Sequence, residues 1–409
     1  MIDFTKNNND DPRSFADTEN TGNNKFLSKN IGISYNRAVI KRNANTLVIG
    51  GAGSGKTHGF IKNNLLKSDC SFIVTDRDGE LFNACFNNMI GRKYKISCID
   101  FTDPSGSFKY NPFDYVNEDN IFNDLCYIAE ILSPLYVDNK KDAFWNAMLK
   151  GLFTAAILKV YSDSENRTLR NVVSIMNQIT SSLDTDVLKI KELFSKRDEN
   201  NVLSESAYHL WSDYEALAPE AKREIALMWN SHNKILTDNE VMKTFDITTI
   251  DINRFRTDKS ILFISVPGID ISYNPFVTLI YEQVFNFLYK NYDKTQYSNH
   301  IEIILDEFAN IRMFHNFEMQ LAVASSHNVS VSIIIQDIKQ LDMLVLKDKD
   351  TILSCCDSFV LLKTNSKTNT DFYKKLGISS SDIRAAKDDM AFVKIRGVDP
   401  VLDYKLPCS

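Results

Sequence analysis

Residues Gly50-Gly51-Ala52-Gly53-Ser54-Gly55-Lys56-Thr57 match the spacing G-x-x-x-x-G-K-[ST] in full. The chemistry such a run can do is phosphate binding. Its glycines let the backbone curl so that successive N–H groups point inward at anionic oxygens. Lys56 would reach the β- and γ-phosphates of a nucleotide, and the Thr57 hydroxyl would ligate Mg²⁺. The match has the context it needs. An apolar strand, Thr46–Ile49, precedes it, and a helix from about Lys56 to Leu66 follows, adding its positive end to the anion site. A glycine-rich turn without a ligand is the blander reading, and the strand-before, helix-after setting argues against it.

Two further sites could complete a nucleotide centre. The apolar run Ile301–Leu305 ends in Asp306 and Glu307. In phosphoryl transfer on such a loop, a strand-end acid enters the Mg²⁺ shell and a following Glu can polarise the attacking water, so Asp306 is read as the metal ligand and Glu307 as the general base. Alone the pair is a weak signal, because carboxylates commonly cap strand ends. Beside a complete phosphate loop it gains weight. Gln336 leaves another apolar run, Val329–Ile335, and its amide is placed to sense the γ-phosphate or orient water. The cofactors implied are ATP and Mg²⁺.

These residues need a scaffold of covered strands. Short apolar, β-branched runs recur at Thr46–Ile49, Ser71–Thr75, Lys95–Asp100, Ile261–Val266, Ile301–Leu305, Val329–Ile335, Ser358–Leu362 and Ala391–Ile395. Uninterrupted apolar character suits strands buried on both faces, and helical stretches between them predict an α/β fold with a largely parallel sheet. The rhythm breaks over 117–250. There Phe144, Met148, Leu152, Ala156 and Val160 repeat every four residues, and further helical patterns lie near 169–179, 203–217 and 219–236. An all-helical domain inserted at 117–250 is expected, between nucleotide-binding segments 31–116 and 251–409. Residues 1–30 are rich in Asn, Asp, Ser and Gly, which predicts a disordered segment.

The bulk composition excludes more than it selects. The chain has 409 residues and a formal charge of −6, so it is not a basic nucleic-acid-binding protein as a whole, and any DNA contact would come from a local patch or an assembled ring. Its 7 cysteines show no C-x-x-C pair, which fits reduced thiols rather than a zinc site. No run approaches the apolar length of a membrane helix, and there is no signal-peptide pattern, so a cytoplasmic protein is expected.

Several stretches together resemble the TraG-like coupling ATPases of bacterial conjugation and type IV secretion. They are the loop with its lead-in Asn45-Thr46-Leu47-Val48-Ile49-Gly50; Phe72-Ile73-Val74-Thr75-Asp76-Arg77-Asp78-Gly79-Glu80-Leu81, similar to the family's T-D-P-K-G-E-L; and Tyr110-Asn111-Pro112-Phe113. Leu305-Asp306-Glu307-Phe308-Ala309-Asn310-Ile311, Ile334-Ile335-Gln336, and Ile395-Arg396-Gly397 with Pro400 complete the set. The resemblance covers about residues 40–406, and the run from Asp306 to Ile311 is its most specific part. It implies a RecA-like core with an inserted helical domain and a homo-hexameric ring. It also implies ATP hydrolysis coupled to delivery of a DNA–relaxase complex or protein substrate to the secretion channel. With no membrane helix in the chain, contact with the inner face of the membrane would come through partners or through an anchor missing from the N-terminus.

The chain departs from the family pattern at two charges. Asp78 stands where the family carries Lys, and Ser325 stands where many members carry Arg; Arg312, Arg384 and Arg396 are candidates to replace that arginine. These departures keep open a nucleotide-gated adaptor with little turnover; a related P-loop DNA translocase is a further alternative, against which the run from Asp306 to Ile311 argues. Asp76 and Glu80 could face the site, His58 more naturally packs on or caps the following helix, and Lys41, Arg42, Lys374 and Lys375 could meet phosphate backbones, though such pairs are usually solvated surface.

Overall fold

A computed structural model describes residues 11–407 except 134–142, 164, 182–183, 233, 291, 296, 298, 312–313, 315 and 344–348. The strands, in chain order, are β1 (Asn24–Phe26), β2 (Gly32–Ser34), β3 (Thr46–Ile49), β4 (Ser71–Arg77), β5 (Lys95–Asp100) and β6 (Ser260–Val266), followed by β7 (Ile301–Leu305), β8 (Val329–Ile335), β9 (Ser358–Leu362), β10 (Met390–Ile395) and β11 (Val401–Tyr404). Nine of them form one sheet in the order β11-β10-β9-β3-β8-β7-β4-β6-β5, and β1 and β2 form a separate two-stranded sheet. Strands β9, β3, β8, β7, β4 and β6 run parallel, while β10 is antiparallel to β9 and to β11. The α/β class and the largely parallel sheet are those expected from the apolar runs. Strands β3, β7, β8 and β9 are buried along their whole length, which is why they read as continuous rather than alternating runs.

The chain divides into two compact units. One comprises residues 1–98, 251–269 and 285–409; the other comprises Ile99–Ile250 and Asp270–Val284. The second unit begins before the insertion expected at 117–250 and takes in a further segment. Among the described residues of 117–250 there are helices and no strand. The central helix, Ala143–Asp163, buries Leu149, Leu152, Phe153, Ala156, Ile157, Leu158 and Val160, so its second half is covered all round. A helix apolar on every side belongs in a core. Phe144, read from the repeat as part of the buried face, is 55% exposed.

The expectation of disorder over residues 1–30 needs correction for the part described here; residues 1–10 lie outside it. From Asp11 the segment is ordered, because its polar side chains have partners. Asn64 receives the Phe26 N–H at 2.8 Å and donates to the Phe26 carbonyl at 2.9 Å. Asp403 accepts from the Ser28 hydroxyl at 2.7 Å, the Asn30 N–H at 2.8 Å and the Asn30 amide at 2.8 Å. Lys25 crosses into the core, where its ammonium meets Glu302 at 2.8 Å and donates to the Ala44 carbonyl at 2.5 Å. Glu302 also accepts from the hydroxyls of Ser330 and Ser332. Both charged side chains are 1% exposed, and burial lowers the Lys25 pKa despite Glu302.

Removing one member of a buried pair strands the other charge, which costs about 3–5 kcal/mol. Lys25→Met should therefore lower the urea midpoint of unfolding strongly. The double change Lys25→Met/Glu302→Gln, which removes the stranded charge, should recover a substantial part of the loss.

Candidate nucleotide-binding site

The parallel register brings the candidate residues together. Ile49 of β3 is paired with Ile335 of β8, and Leu305 of β7 with Ile333. Gly50, Gln336 and Asp306 therefore leave adjacent strands at the same carboxyl edge, where ligands of open parallel sheets bind. The Gly50 N–H donates to the Ile335 carbonyl at 3.1 Å, extending the pairing one residue into the loop. The Tyr373 hydroxyl, fully buried, donates at 3.2 Å to the carbonyl of Ile49 and at 2.9 Å to that of Leu362, tying the ends of β3 and β9.

From Gly51 the chain turns through Gly53 and Gly55, both at positive φ (69° and 86°), into a helix whose first turn, Thr57–Ile61, is of π type and continues as Lys62–Lys67. A side chain at either glycine would strain this curl. The Lys56 ammonium donates to the carbonyls of Gly50 at 2.7 Å and Gly51 at 3.0 Å. It therefore lies folded over the mouth of its own loop. Burial lowers its pKa, and the charges of Glu307 and then Asp306 oppose that. The Ser54 hydroxyl is buried with no partner among the described residues. A buried hydroxyl left unsatisfied is costly unless a ligand completes it, so it fits an anion in the cradle. On the outside of the loop, Lys405, just after β11, donates to the Ser54 carbonyl at 2.8 Å and to the carbonyl of Asp388.

Asp306 is 7% exposed at the end of β7. Burial, then the neighbouring Glu307, push its carboxyl up to about 6, against the pull of the Glu307 N–H and Lys56. Glu307 adopts the left-handed backbone conformation, φ 50°, and its N–H donates to Asp306 Oδ1 at 3.0 Å. That turn redirects the chain from the strand into the 3₁₀ helix Phe308–Asn310. The Gln336 amide donates to both carboxylate oxygens of Glu307, at 3.0 and 2.9 Å. Gln336 is itself fixed, its N–H donating to Gln340 Oε1 at 2.7 Å and its carbonyl receiving the Asn369 amide at 3.0 Å. The loop, the acidic pair and the glutamine thus form one cluster. Thr57 and Asp306 offer oxygen ligands of the hard type that Mg²⁺ prefers.

Other residues singled out in the sequence have partners of their own, although the charge of Asp76 also helps to raise the Asp306 pKa. The Asp76 carboxylate accepts the N–H groups of Leu81 at 2.9 Å and Phe82 at 2.8 Å, capping the helix Glu80–Gly91. Glu80 sits exposed in that helix's first turn. Arg396 bonds the carbonyls of Ser354 and Cys356 and pairs with Asp357 at 3.0 Å. Arg42 stacks on Phe15 at 4.6 Å and bonds the carbonyl of Arg396, and Lys374 pairs with Asp371 at 3.6 Å. Arg312 lies outside the described residues. Among the described residues no group of His, Cys, Asp and Glu is arranged to hold a metal, and no helix is long and apolar enough to cross a membrane. One residue at the cluster was missed. Arg77, at the end of β4, places Nη1 3.9 Å from Glu307 Oε1. The signal for it lay in its position, since the last residue of a strand beside β7 reaches the same edge.

The sequence pattern of the family described as type IV secretory system conjugative DNA transfer matches residues 4–387. The chain belongs to this family. That is the relationship the residue motifs pointed to. Among curated proteins none matches the chain. Solved structures share its fold at low identity. The plasmid coupling protein TrwB, in complex with the ATP analogue ADPNP, superposes with a TM-score of 0.65 at 16% identity, over 89% of this chain and 86% of that one. TrwB with ADP and Mg²⁺ gives 0.64 at 16% identity, over 89% and 86%. VirB4 of Thermoanaerobacter pseudethanolicus gives 0.59 at 14% identity, over 95% and 97%. The fold is therefore the RecA-like P-loop fold expected for the family.

A carboxyl raised towards 6 is harder to ionise in the folded chain than in the unfolded one. Asp306 thus costs stability above about pH 6, on the order of 2–3 kcal/mol, and the cost falls away as the pH drops from about 6 towards the unfolded value of 3.8. In EDTA and without nucleotide, Asp306→Asn should raise Tm at about pH 7.5, and the gain should shrink as the pH falls towards about 5.

Proposed function

We propose that this member of the conjugative DNA transfer family is an ATP-Mg²⁺-binding coupling protein that hydrolyses ATP to recruit a DNA–relaxase complex or protein substrate and deliver it to a type IV secretion channel. It would work as a homo-hexamer, and at the membrane through partners. The observation that carries the reading is the convergence of Lys56, Asp306, Glu307 and Gln336 on one edge of the sheet beside a complete phosphate loop.

Each residue has a part that follows from its surroundings. The N–H groups of Gly53, Gly55, Lys56 and Thr57 and the Ser54 hydroxyl would hold phosphate oxygens, and Lys56 would exchange the carbonyls of Gly50 and Gly51 for the β- and γ-oxygens. Thr57 and Asp306 would hold Mg²⁺, whose charge would favour the ionised form of Asp306. The metal, when bound, supplies charge neutralisation on the phosphates. Glu307 takes the proton of the attacking water. Gln336, bonded to both Glu307 oxygens, holds that carboxylate in place and keeps its amide beside the terminal phosphate. The nucleotides named for TrwB, ADPNP and ADP with Mg²⁺, are of the kind this site suits.

Purified protein should hydrolyse ATP, faster with single- or double-stranded DNA, and its mass in solution should be that of an oligomer. Lys56→Ala should abolish ATP binding. Glu307→Gln should keep ATP binding while lowering turnover by about 10²–10⁴-fold. Tight ATP binding by the wild type with negligible turnover, at a concentration where it is oligomeric and with DNA present, would replace the motor with a nucleotide-gated adaptor.

A further inference from the structure

We propose that Arg77 is a second cation for the terminal phosphate, supplied within the same chain by the end of β4. The inference rests on the ATP reading above and adds a residue to that site. Arg77 is the last residue of β4, paired in register with Val266 of β6, and its neighbour across the sheet on the other side is β7, which carries the acidic pair. Its guanidinium points along the sheet edge rather than away from it, with Nη1 3.9 Å from Glu307 Oε1 and Nε 3.5 Å from Asp78 Oδ2.

The backbone around it is shaped to allow this. Asp78 is in the left-handed conformation, φ 55°, its N–H donates to the Val266 carbonyl at 2.9 Å, and its Oδ1 accepts the Gly268 N–H at 2.7 Å. A Cβ at Gly268 would fall 2.2 Å from Arg77 Nε and 2.6 Å from Asp78 Oδ2. The guanidinium therefore lies across bare backbone, in a space any other residue at 268 would invade.

Stability does not account for the arrangement. The Arg77 side chain is 48% exposed, and an ion pair that open to water contributes about 0–1 kcal/mol. Function does account for it. Glu307 is held by the Gln336 amide from one strand end and faced by Arg77 from another, while Lys56 lies close enough for the charges of both acids to oppose the lowering of its pKa by burial. A γ-phosphate bound by Lys56 beside Glu307 comes within the sweep of a long, half-exposed arginine. The fork of the guanidinium suits phosphate oxygens better than a single carboxylate oxygen at 3.9 Å. Moving to the phosphate, Arg77 releases one oxygen of Glu307 and neutralises charge gathering on the phosphoryl group. Three other arginines among the described residues are committed elsewhere. Arg92 bonds the carbonyls of Leu65 and Ser68, Arg256 those of His327 and Leu288, and Arg396 pairs with Asp357.

The test compares affinities for ADPNP-Mg²⁺ and ADP-Mg²⁺ by calorimetry, so it needs no turnover. Arg77→Ala should weaken ADPNP by about tenfold or more while leaving ADP within about twofold. Arg77→Lys, which keeps the charge, should recover part of the difference, and the melting temperatures of both variants should stay near that of the wild type. Equal loss for both nucleotides, or no loss for either, overturns the role of Arg77 and leaves the ATP reading standing. Failure of the wild type to bind either nucleotide overturns both.

Discussion

The parallel pairing of β3, β8 and β7 is the constraint on which the rest of this structure depends. Because Ile49 is level with Ile335, and Ile333 with Leu305, β3 and β8 finish level and β7 two residues short of them, and the first polar residues beyond the three strands meet at one edge. A slip of one residue in either pairing would reverse the facing of a whole strand. These strands are buried on both faces, so such a slip is opposed mainly by their side-chain packing and by polar anchors at the ends. Asn45 is one such anchor: its side chain accepts from the Val331 N–H at 2.9 Å and donates to the carbonyls of Leu321 and Cys355, each at 3.1 Å. Tyr373 plays the same part at the other end of β3.

What that alignment assembles is an electrostatically crowded site. Asp306 is buried beside Glu307, with Lys56 and Arg77 as the facing cations and Gln336 as the neutral donor between strands. Burial first, and then this crowding, raises the pKa of Asp306, while Lys56 rests on the carbonyls of its own loop. Both groups are poised to gain from a divalent cation and a polyphosphate, which supply the charges the protein leaves unbalanced. Binding energy at such a site is concentrated where a transferred phosphoryl group would gather charge.

At the other end of the same strand β7, Glu302 answers a different need. Its pairing with Lys25, together with the hydroxyls of Ser330 and Ser332, holds the segment before β3 against the sheet. One five-residue strand thus carries a buried structural carboxylate near its start and the acidic pair just past its end. Pattern reading cannot see the first role, because Glu302 interrupts the apolar run in a single place and its partner lies far away in the chain.

The phosphate loop, the strand-end acids and the α/β rhythm were legible in the sequence because each is local. Glycine spacing sets the curl of a loop, a run of β-branched residues sets a buried strand, and a carboxylate at the end of such a run marks its edge. The family followed from the same local strings. The ordering of residues 11–30 was not legible, since Asn, Asp and Ser read as solvated until the fold supplies Asn64, Asp403 and Glu302 as partners. Nor was the turning of Asp76 to cap a helix, or the position of Arg77 against Glu307. Those depend on which strands are neighbours and in what register. Sequence order alone leaves that open, because β4 and β7 are brought side by side only by long-range packing.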